Sequence, residues 1–246
     1  MPVPSINPST TTPETRATQA LSAALLLSFT GGFLDAFLYV AHGRVFAGAL
    51  TGNLVLAGIA LLGRDPHNIV HHLLPIAGFI TGICAAFIVA MKLRHHVVLI
   101  ALGLEAVGLF IASLLPHSTP DLIFIPLVST LAAFQVGSFR KVDTFVYNST
   151  FITGNMLRAI EAFHTALFRI ELHDSVLEVR DLGLVILLFF TGAVTSALLV
   201  GRIGNHALWV PTATVLIVLS MAVFGDLRHP GPADSQPAER KVGESN

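Results

Sequence analysis

Two copies of a Thr-Gly-Asn triplet are the residues of this chain best suited to bind a solute. The copies are Thr51-Gly52-Asn53 and Thr153-Gly154-Asn155, each within a largely apolar stretch. A threonine hydroxyl can accept from the free amides at the start of a helix, and a glycine permits unusual backbone shapes. An asparagine amide both donates and accepts hydrogen bonds. Because a non-helical segment at membrane depth must satisfy its polar groups internally or in a cavity, the triplets predict a polar binding site.

Helix packing is a second interpretation of the same triplets. Gly48 and Gly52 form a small-xxx-small pair, which recurs as Thr150 and Gly154. Such pairs bring transmembrane helices close together. Packing explains the glycines but not the two asparagines, so both interpretations remain open from the sequence.

Two acidic residues in apolar runs are candidate proton carriers, because acids inside a membrane are costly and are often functional. Asp35 stands toward the end of the first run, where it could also reach interfacial water. Glu105 stands in the middle of "ALGLEAVGLF", where burial beside a partner is the alternative. Gln135 stands next to Val136, the repeat counterpart of Asp35. We therefore add Asp35 and Gln135 to the two triplets as candidate substrate-binding residues.

The elements that must position these residues are membrane helices. Of the 246 residues, 53% are hydrophobic and 12% are charged, whereas soluble domains carry about a quarter charged residues. Six apolar runs reach roughly the 20 residues that a membrane span needs: 18–41, 72–91, 96–116, 120–139, 182–201 and 206–225. The triplet segments 45–63 and 144–168 are additional, and the second is too polar to make a good span. We predict an all-α integral membrane protein with disordered tails at 1–17 and 226–246.

The chain also reads as two copies of one unit. The triplets lie 102 positions apart, and "FITGICAAFIVAMKLRHH" at 79–96 resembles "FFTGAVTSALLVGRIGNH" at 189–206. Each copy contains a span, a triplet segment and two further spans. The sequence thus predicts two membrane halves, residues 18–116 and 120–225, related by an internal repeat.

The distribution of the 14 Lys and Arg residues predicts the orientation, since cytoplasmic loops carry the excess of positive charge. If both triplet segments enter the membrane and return, Arg44, Arg64 and Arg202 lie on one side and the other eleven lie opposite. Both termini are then cytoplasmic and the halves are inverted. If both segments span, the split is eight against six and gives no bias. If only the first segment spans, the bias is equally strong with an external amino terminus, but the repeat is broken.

Several function classes have no support in the sequence. Nothing places a nucleophile against a base, so we expect no enzyme, no cofactor and no metal site. The net charge of −1 gives no reason to expect nucleic-acid binding, and the single cysteine, Cys84, excludes an internal disulfide framework. The expected partners are the lipid bilayer and an unknown small solute, and a homo-oligomer is compatible with the sequence.

Over nearly all of its apolar core, the chain resembles the YoaK-like membrane proteins, a family with a domain of unknown function numbered 1275. The stretch "GGFLDAFLYVAHGRVFAGALTGNLVLAGIALLG" carries the pattern Gly-Phe-x-Asp-Ala, a short loop with an aromatic residue, and Thr-Gly-Asn-Leu-Val. Gln135 and Thr153-Gly154 match the pattern of the second half. The resemblance implies a multi-pass protein of the bacterial plasma membrane, but it brings no activity or catalytic residue.

A small-solute transporter is the function that these observations favour, and the two acids would allow it to be coupled to protons. Its site would lie between the two triplet segments. The alternative is a non-transporting membrane scaffold or regulatory protein, in which the triplets only pack helices. The identity of the solute cannot be read from the sequence.

Overall fold

The computed structural model of the protein describes residues 13–93, 97–116, 118–138, 152–168 and 172–224, and all regular structure within them is helical. The helices are α1 (Pro13–Ala41), α2 (Leu50–Leu62), α3 (Pro66–Lys92), α4 (Val97–Leu114), α5 (Asp121–Ser138), α6 (Ile152–Leu167), α7 (Leu172–Ile203) and α8 (Trp209–Phe224), with a 3-10 helix at Gly204–Leu208. The all-α prediction is confirmed. Helix α1 begins inside the predicted tail 1–17, while residues 1–12 and 226–246 lie outside the described part.

Four stretches of the described residues are long and apolar enough to cross a membrane. They are Leu21–Ala41, Pro66–Lys92, Asp121–Ser138 and Ser175–Phe224, the last of which contains most of α7 and all of α8. Helices occupy all six apolar runs named above, but the number of spans stays a prediction. The helices that carry the triplets are shorter: α2 has 13 residues and α6 has 16. At 1.5 Å per residue they measure about 20 and 24 Å, less than the roughly 30 Å of a hydrocarbon core.

Helices α3 and α5 pack closely and run parallel. Gly78 lies against the backbone carbonyl of Pro126, and Gly82 lies against that of Thr130, so a methyl group at either glycine would overlap backbone atoms. The Thr130 hydroxyl also donates to the Gly78 carbonyl at 3.0 Å. The contacts advance in the same direction along both helices, which fixes the parallel arrangement.

Helices α1 and α7 form a second close contact. Gly32 lies against the backbone carbonyl of Phe189, and Gly192 lies against that of Phe29. Glycines at both positions allow the two backbones to approach, as small residues commonly do between membrane helices. The opposite side of α1 faces the core, where Phe37 is fully buried.

Several helix ends meet on one side of the bundle, which we call the His42 face. His42 Nδ1 donates to Asp121 Oδ1 at 2.7 Å, and His71 Nε2 donates to the His42 carbonyl at 3.1 Å. These contacts join the end of α1 to the starts of α3 and α5. Trp209 Nε1 donates to Ser113 Oγ at 2.9 Å, which brings the start of α8 to the end of α4. The end of α4 leads into the start of α5, which lies on the His42 face, so the start of α8 lies there too. Because α7 leads directly into α8, helices α1 and α7 both end on the His42 face.

Candidate functional site

A cavity of about 670 Å³ lies between α1 and α7, and the first turns of α2 and α6 reach it. Its lining is mostly apolar. The side formed by α1 consists of Gly32, Asp35, Ala36, Tyr39 and Val40. The side formed by α7 consists of Phe189, Ala193, Val194 and Ala197. The spacing of three and four residues in α1 gives one stripe of that helix, so the cavity follows α1 lengthwise.

The cavity extends from the middle of the bundle toward the His42 face. Its inner end is the contact between Gly32 and Phe189, where α1 and α7 touch. Its outer end is lined by Val40, one residue before α1 ends, and by Ala197. Eight residues of helix separate the inner and outer ends, which corresponds to about 12 Å.

The two triplet segments meet at this cavity. Thr51 lies in the first turn of α2, and Thr153 lies in the first turn of α6. Both line the cavity, as do Leu50 and Ile152, the first residues of those helices. The start of a helix carries partial positive charge from its free amides. The cavity is therefore bordered by two helix starts, each of which carries partial positive charge.

Asp35 is the charged side chain in the lining, and it lies beside the loop that leads into α2. It is buried, and its Oδ1 accepts from the Gly48 amide at 2.6 Å. The negative carboxylate thus meets the positive end of α2, which is the arrangement that a helix dipole favours.

Asn53 does not line the cavity, but it fixes the position of Phe46, which does. Its side-chain oxygen accepts from the Phe46 amide at 2.9 Å, and its nitrogen donates to the Phe46 carbonyl at 2.8 Å. Gly52 lies under the Phe46 ring, which an added Cβ would approach to 3.0 Å. Phe46 lines the cavity and stacks on Tyr39 with their ring centroids 5.1 Å apart. Asn53 and Gly52 therefore position an aromatic wall of the cavity.

The second triplet is surrounded differently. A Cβ added at Gly154 would meet no atom within 4 Å among the described residues. Asn155 is buried and, with Ala162, belongs to the side of α6 that is enclosed by the bundle. Helix α6 packs on α7, to which Arg158 is joined by an ion pair with Glu178 at 2.6 Å. Neither Gly154 nor Asn155 lines the cavity.

Glu105 and Gln135 form a separate buried pair between α4 and α5. Glu105 is fully buried and Gln135 is nearly so. With its nitrogen turned toward Glu105, the Gln135 amide donates to Oε1 at 2.6 Å and to Oε2 at 3.3 Å. Both were candidates from the sequence, but nothing in the sequence paired them. The pair lies outside the lining of the cavity.

Two aromatic lining residues, Tyr39 and Phe46, were missed by sequence reasoning. A signal for Tyr39 was available, because it follows Asp35 by four residues and therefore shares its side of α1. The role of Phe46 depends on a turn at Gly43, whose φ of +77° follows the end of α1. A single sequence does not reveal how such a turn directs the chain.

Comparison with known proteins gives the family of this chain. A family model described as "Protein of unknown function (DUF1275)" matches residues 23–221, and the chain belongs to that family. The UPF0700 transmembrane protein YoaK of Bacillus subtilis (strain 168) is 29% identical over 209 residues, covering 80% of this chain and 91% of the relative. The UPF0700 transmembrane protein RA0705 of Rhizobium meliloti (strain 1021) is 24% identical over 208 residues, covering 84% and 88%. No solved structure matches the chain. The predicted family and the assignment as a membrane protein are confirmed.

Proposed function

We propose that this protein carries a small solute across the cell membrane and binds it in the cavity between the two triplet segments. The observation that supports this most is that Asp35, Thr51 and Thr153, distant in the chain, line one cavity. Ligand pockets of about 300–1,000 Å³ hold small organic molecules, usually with apolar walls and a few polar groups. A cavity of about 670 Å³ with such walls fits an amphipathic organic solute better than a hydrated ion.

Six membrane spans and two half-helices are the architecture that we propose. Helices α2 and α6 are short for a span, and each begins at the cavity in the interior. Helix α2 leads back to α3 on the His42 face, whereas α6 leads to the start of α7 on the opposite face. Helix starts that point at a central site recur in secondary transporters.

The orientation that we propose puts the His42 face outside a bacterial plasma membrane. Arg44 follows α1, Arg64 precedes α3, and Arg202 stands in the last turn of α7, all at helix ends that belong to this face. These three are the smaller group of the eleven-to-three split. Under the positive-inside rule, the opposite face and both termini are then cytoplasmic.

An inverted repeat relates the two halves in this proposal. Gly82 of α3 corresponds to Gly192 of α7, and each lies against a backbone carbonyl of a neighbouring helix. The neighbours are Thr130 of α5 and Phe29 of α1, which are 101 positions apart and are themselves equivalent. Thus α3 packs on α5 as α7 packs on α1. This exchange of partners is what a twofold relation between the halves requires.

A non-transporting scaffold is the second candidate function, and Asn53 is the observation that favours it. Both polar atoms of its side chain bond to the backbone of Phe46. A side chain whose oxygen and nitrogen both bond to the backbone of the same protein has a structural role. The transporter proposal therefore relies on the threonines and Asp35, and not on Asn53, for contact with the solute.

Solute accumulation in a deletion strain and in complemented strains tests the proposal. The wild-type protein should change the level of at least one organic solute relative to the deletion. Thr51→Val and Thr153→Val keep the side-chain size but remove a hydroxyl, and a lost hydrogen bond of about 1–3 kcal/mol lowers affinity about ten- to hundred-fold. Thr81→Val, at an exposed position of α3 outside the cavity, is the matched control. Identical solute profiles for the deletion and wild-type strains would remove the transporter role.

Proton coupling through Asp35 or Glu105 is a separate part of the proposal. Asp35→Asn keeps one acceptor oxygen for the Gly48 amide but removes the charge, and Glu105→Gln does the same for the buried pair. If either acid carries the proton, its variant should accumulate solute at a rate that no longer depends on pH, with normal abundance in the membrane. Wild-type pH dependence in both variants would exclude these two acids as proton carriers.

A further inference from the structure

The cavity between α1 and α7 offers a solute one acidic side chain and no basic one. Among the described residues that line it, Asp35 is the acid, and none is a lysine, an arginine or a histidine. The other polar side chains of the lining are those of Tyr39, Thr51 and Thr153. Because a hydroxyl oxygen can accept hydrogen bonds, a cationic N–H group would find acceptors on α1, α2 and α6.

Asp35 is buried without a basic side chain beside it. It is 5% exposed, and its Oδ1 accepts from the Gly48 amide at 2.6 Å. The ion pairs among the described residues involve Asp121, Glu178 and Asp181, and Asp35 takes part in none of them. A buried charge is costly unless it is paired, and an ionisable residue within a membrane commonly marks the path of a solute or an ion. The cavity is the place from which a cation can reach Asp35.

Glu105, the acid buried between α4 and α5, lacks such access. It is fully buried, and the Gln135 amide, turned toward it, donates to both of its carboxylate oxygens. It does not line the cavity. The protein itself therefore supplies a polar side-chain partner to Glu105, whereas Asp35 borders space that a solute can enter. This difference favours Asp35 as the acid that contacts the solute.

Two aromatic rings lie one helical turn from Asp35, toward the His42 face. Tyr39 follows Asp35 by four residues, so it shares that side of α1 about 6 Å further along the axis. It stacks on Phe46 with the ring centroids 5.1 Å apart, and both residues line the cavity. Aromatic rings pack against hydrocarbon and attract ammonium groups. A solute with an inner positive charge and an outer apolar part fits this order of residues.

We propose that the solute is a protonated organic amine, whose ammonium group pairs with Asp35 and whose apolar part lies against Tyr39 and Phe46. The remaining N–H groups of the ammonium donate to the hydroxyls of Thr51 and Thr153. Each helix start carries only about half an elementary charge, and its effect falls off within the first turn. The carboxylate carries a full charge, so the cavity favours a cation over an anion. This inference rests on the transporter role proposed above and names the class of its solute.

Equilibrium binding of three probes to the purified full-length protein in detergent tests the charge of the solute. Phenethylamine, phenethyl alcohol and hydrocinnamate share one aromatic skeleton and carry a positive, a neutral and a negative group at neutral pH. The wild-type protein should bind the amine roughly tenfold more tightly than the alcohol, since hydrogen bonds to a charged group are the stronger ones. The carboxylate should bind most weakly of the three.

Asp35→Asn assigns this preference to a residue. The variant keeps an acceptor oxygen for the Gly48 amide but removes the charge, so the affinity for the amine should fall roughly tenfold. The affinity for the alcohol should change little, which a variant with a damaged cavity would not show. Glu161→Gln is the matched control, because it removes an acid at an exposed position of α6 outside the cavity. It should leave the order of the three probes unchanged.

The wild-type protein gives a second test that needs no folded variant. A proton on Asp35 removes the charge that binds the amine, so the affinity for phenethylamine should fall as the pH is lowered below neutral. The probe itself stays protonated, since aliphatic amines ionise near about pH 10. Tyr39 is the other titratable residue of the described lining, and α2, α6 and α7 contribute none to it. Titration of the ion pairs outside the lining, such as His42–Asp121, would affect the alcohol as well, so the alcohol is the control.

A wild-type protein that binds the amine no better than the alcohol, or that binds the carboxylate best, would overturn the assignment of the solute as an amine. A preference for the amine that survives both Asp35→Asn and acidic pH would overturn the role of Asp35. Binding in detergent requires no transport, so its outcome is independent of the accumulation experiment. Preference for the amine in a protein that changes no solute level would keep this site and remove the transport role. Transport of a solute without any preference for the amine would keep the transporter and remove the amine.

Discussion

Helices α2 and α6 start with the same three residues, but the residues around them differ. At the start of α2, Asn53 bonds to Phe46, Gly52 lies under the Phe46 ring, and Asp35 accepts from the Gly48 amide. At the start of α6, no described residue lies within 4 Å of a Cβ added at Gly154. Under the proposed repeat, the equivalent of Asp35 is the apolar Val136, which contacts α3 instead. Among the described residues, the closer contacts are therefore those around the first triplet.

The remaining surfaces of α2 and α6 also differ. Helix α2 exposes apolar side chains such as Leu54 and Ile59 and carries no charge. Helix α6 exposes Met156 and Ile160 on one side and bears the ion pair of Arg158 on another. An ion pair at such a partly exposed position contributes about 0–1 kcal/mol. The hydrogen bonds of the first triplet are therefore expected to matter more to stability than the ion pair that joins α6 to α7.

Replacing each asparagine with leucine is expected to give the largest difference in thermal stability between the two triplets. Asn53→Leu removes both hydrogen bonds to the half-buried Phe46 backbone, and an unsatisfied group costs up to about 1–3 kcal/mol when it is buried. Asn155→Leu changes a side chain on a helix-packing surface, where polar contacts in membranes average about 0.6 kcal/mol. Thermal unfolding in detergent should therefore be lowered clearly more by Asn53→Leu. Equal losses in the two variants would show that the triplets are equivalent after all.

Asn53→Asp gives that comparison a control. The aspartate has nearly the size of asparagine and keeps an acceptor for the Phe46 amide, but it cannot donate to the Phe46 carbonyl. Its unfolding temperature should be lower than that of the wild type, because one hydrogen bond is lost and a charge is buried. If Asn53→Asp unfolds like the wild type, the hydrogen bond to the Phe46 carbonyl contributes little to stability.

Helices were predictable from the sequence wherever an apolar run is long. The run 120–139 corresponds closely to α5 (Asp121–Ser138). The start of α3 was predicted less well, because this helix extends six residues beyond its apolar run to Pro66. Asp65 stabilises that extension by accepting from the Asn68 amide at 3.1 Å. Hydropathy detects the part of a helix that lies in lipid and misses a polar extension with its cap.

The site was predictable as a set of residue types but not as a set of contacts. The meeting of Thr51 and Thr153 is what the proposed repeat leads one to expect, since equivalent segments of two related halves can approach a shared axis. The pairing of Gln135 with Glu105 depends on how α4 and α5 are rotated about their axes, which neither run reveals. The bond from Asn53 to Phe46 depends on a loop whose path only the folded chain defines.

Replacing each triplet glycine with alanine should give the smallest difference between the two triplets. The change in unfolding temperature is expected to differ in sign between the two positions. Alanine in a helix is more stable than glycine by about 0.5–1 kcal/mol, and among the described residues a methyl group at Gly154 meets no atom within 4 Å. Gly154→Ala should therefore raise the unfolding temperature slightly. At Gly52 the methyl group lies 3.0 Å from the Phe46 ring, which Asn53 holds in place, so Gly52→Ala should bring no gain or a small loss. Gly58→Ala is the control within α2, because its methyl group also meets none of the described atoms within 4 Å. A gain at Gly52 equal to that at Gly58 would mean that Phe46 is free to move and that the first triplet does not hold it in place.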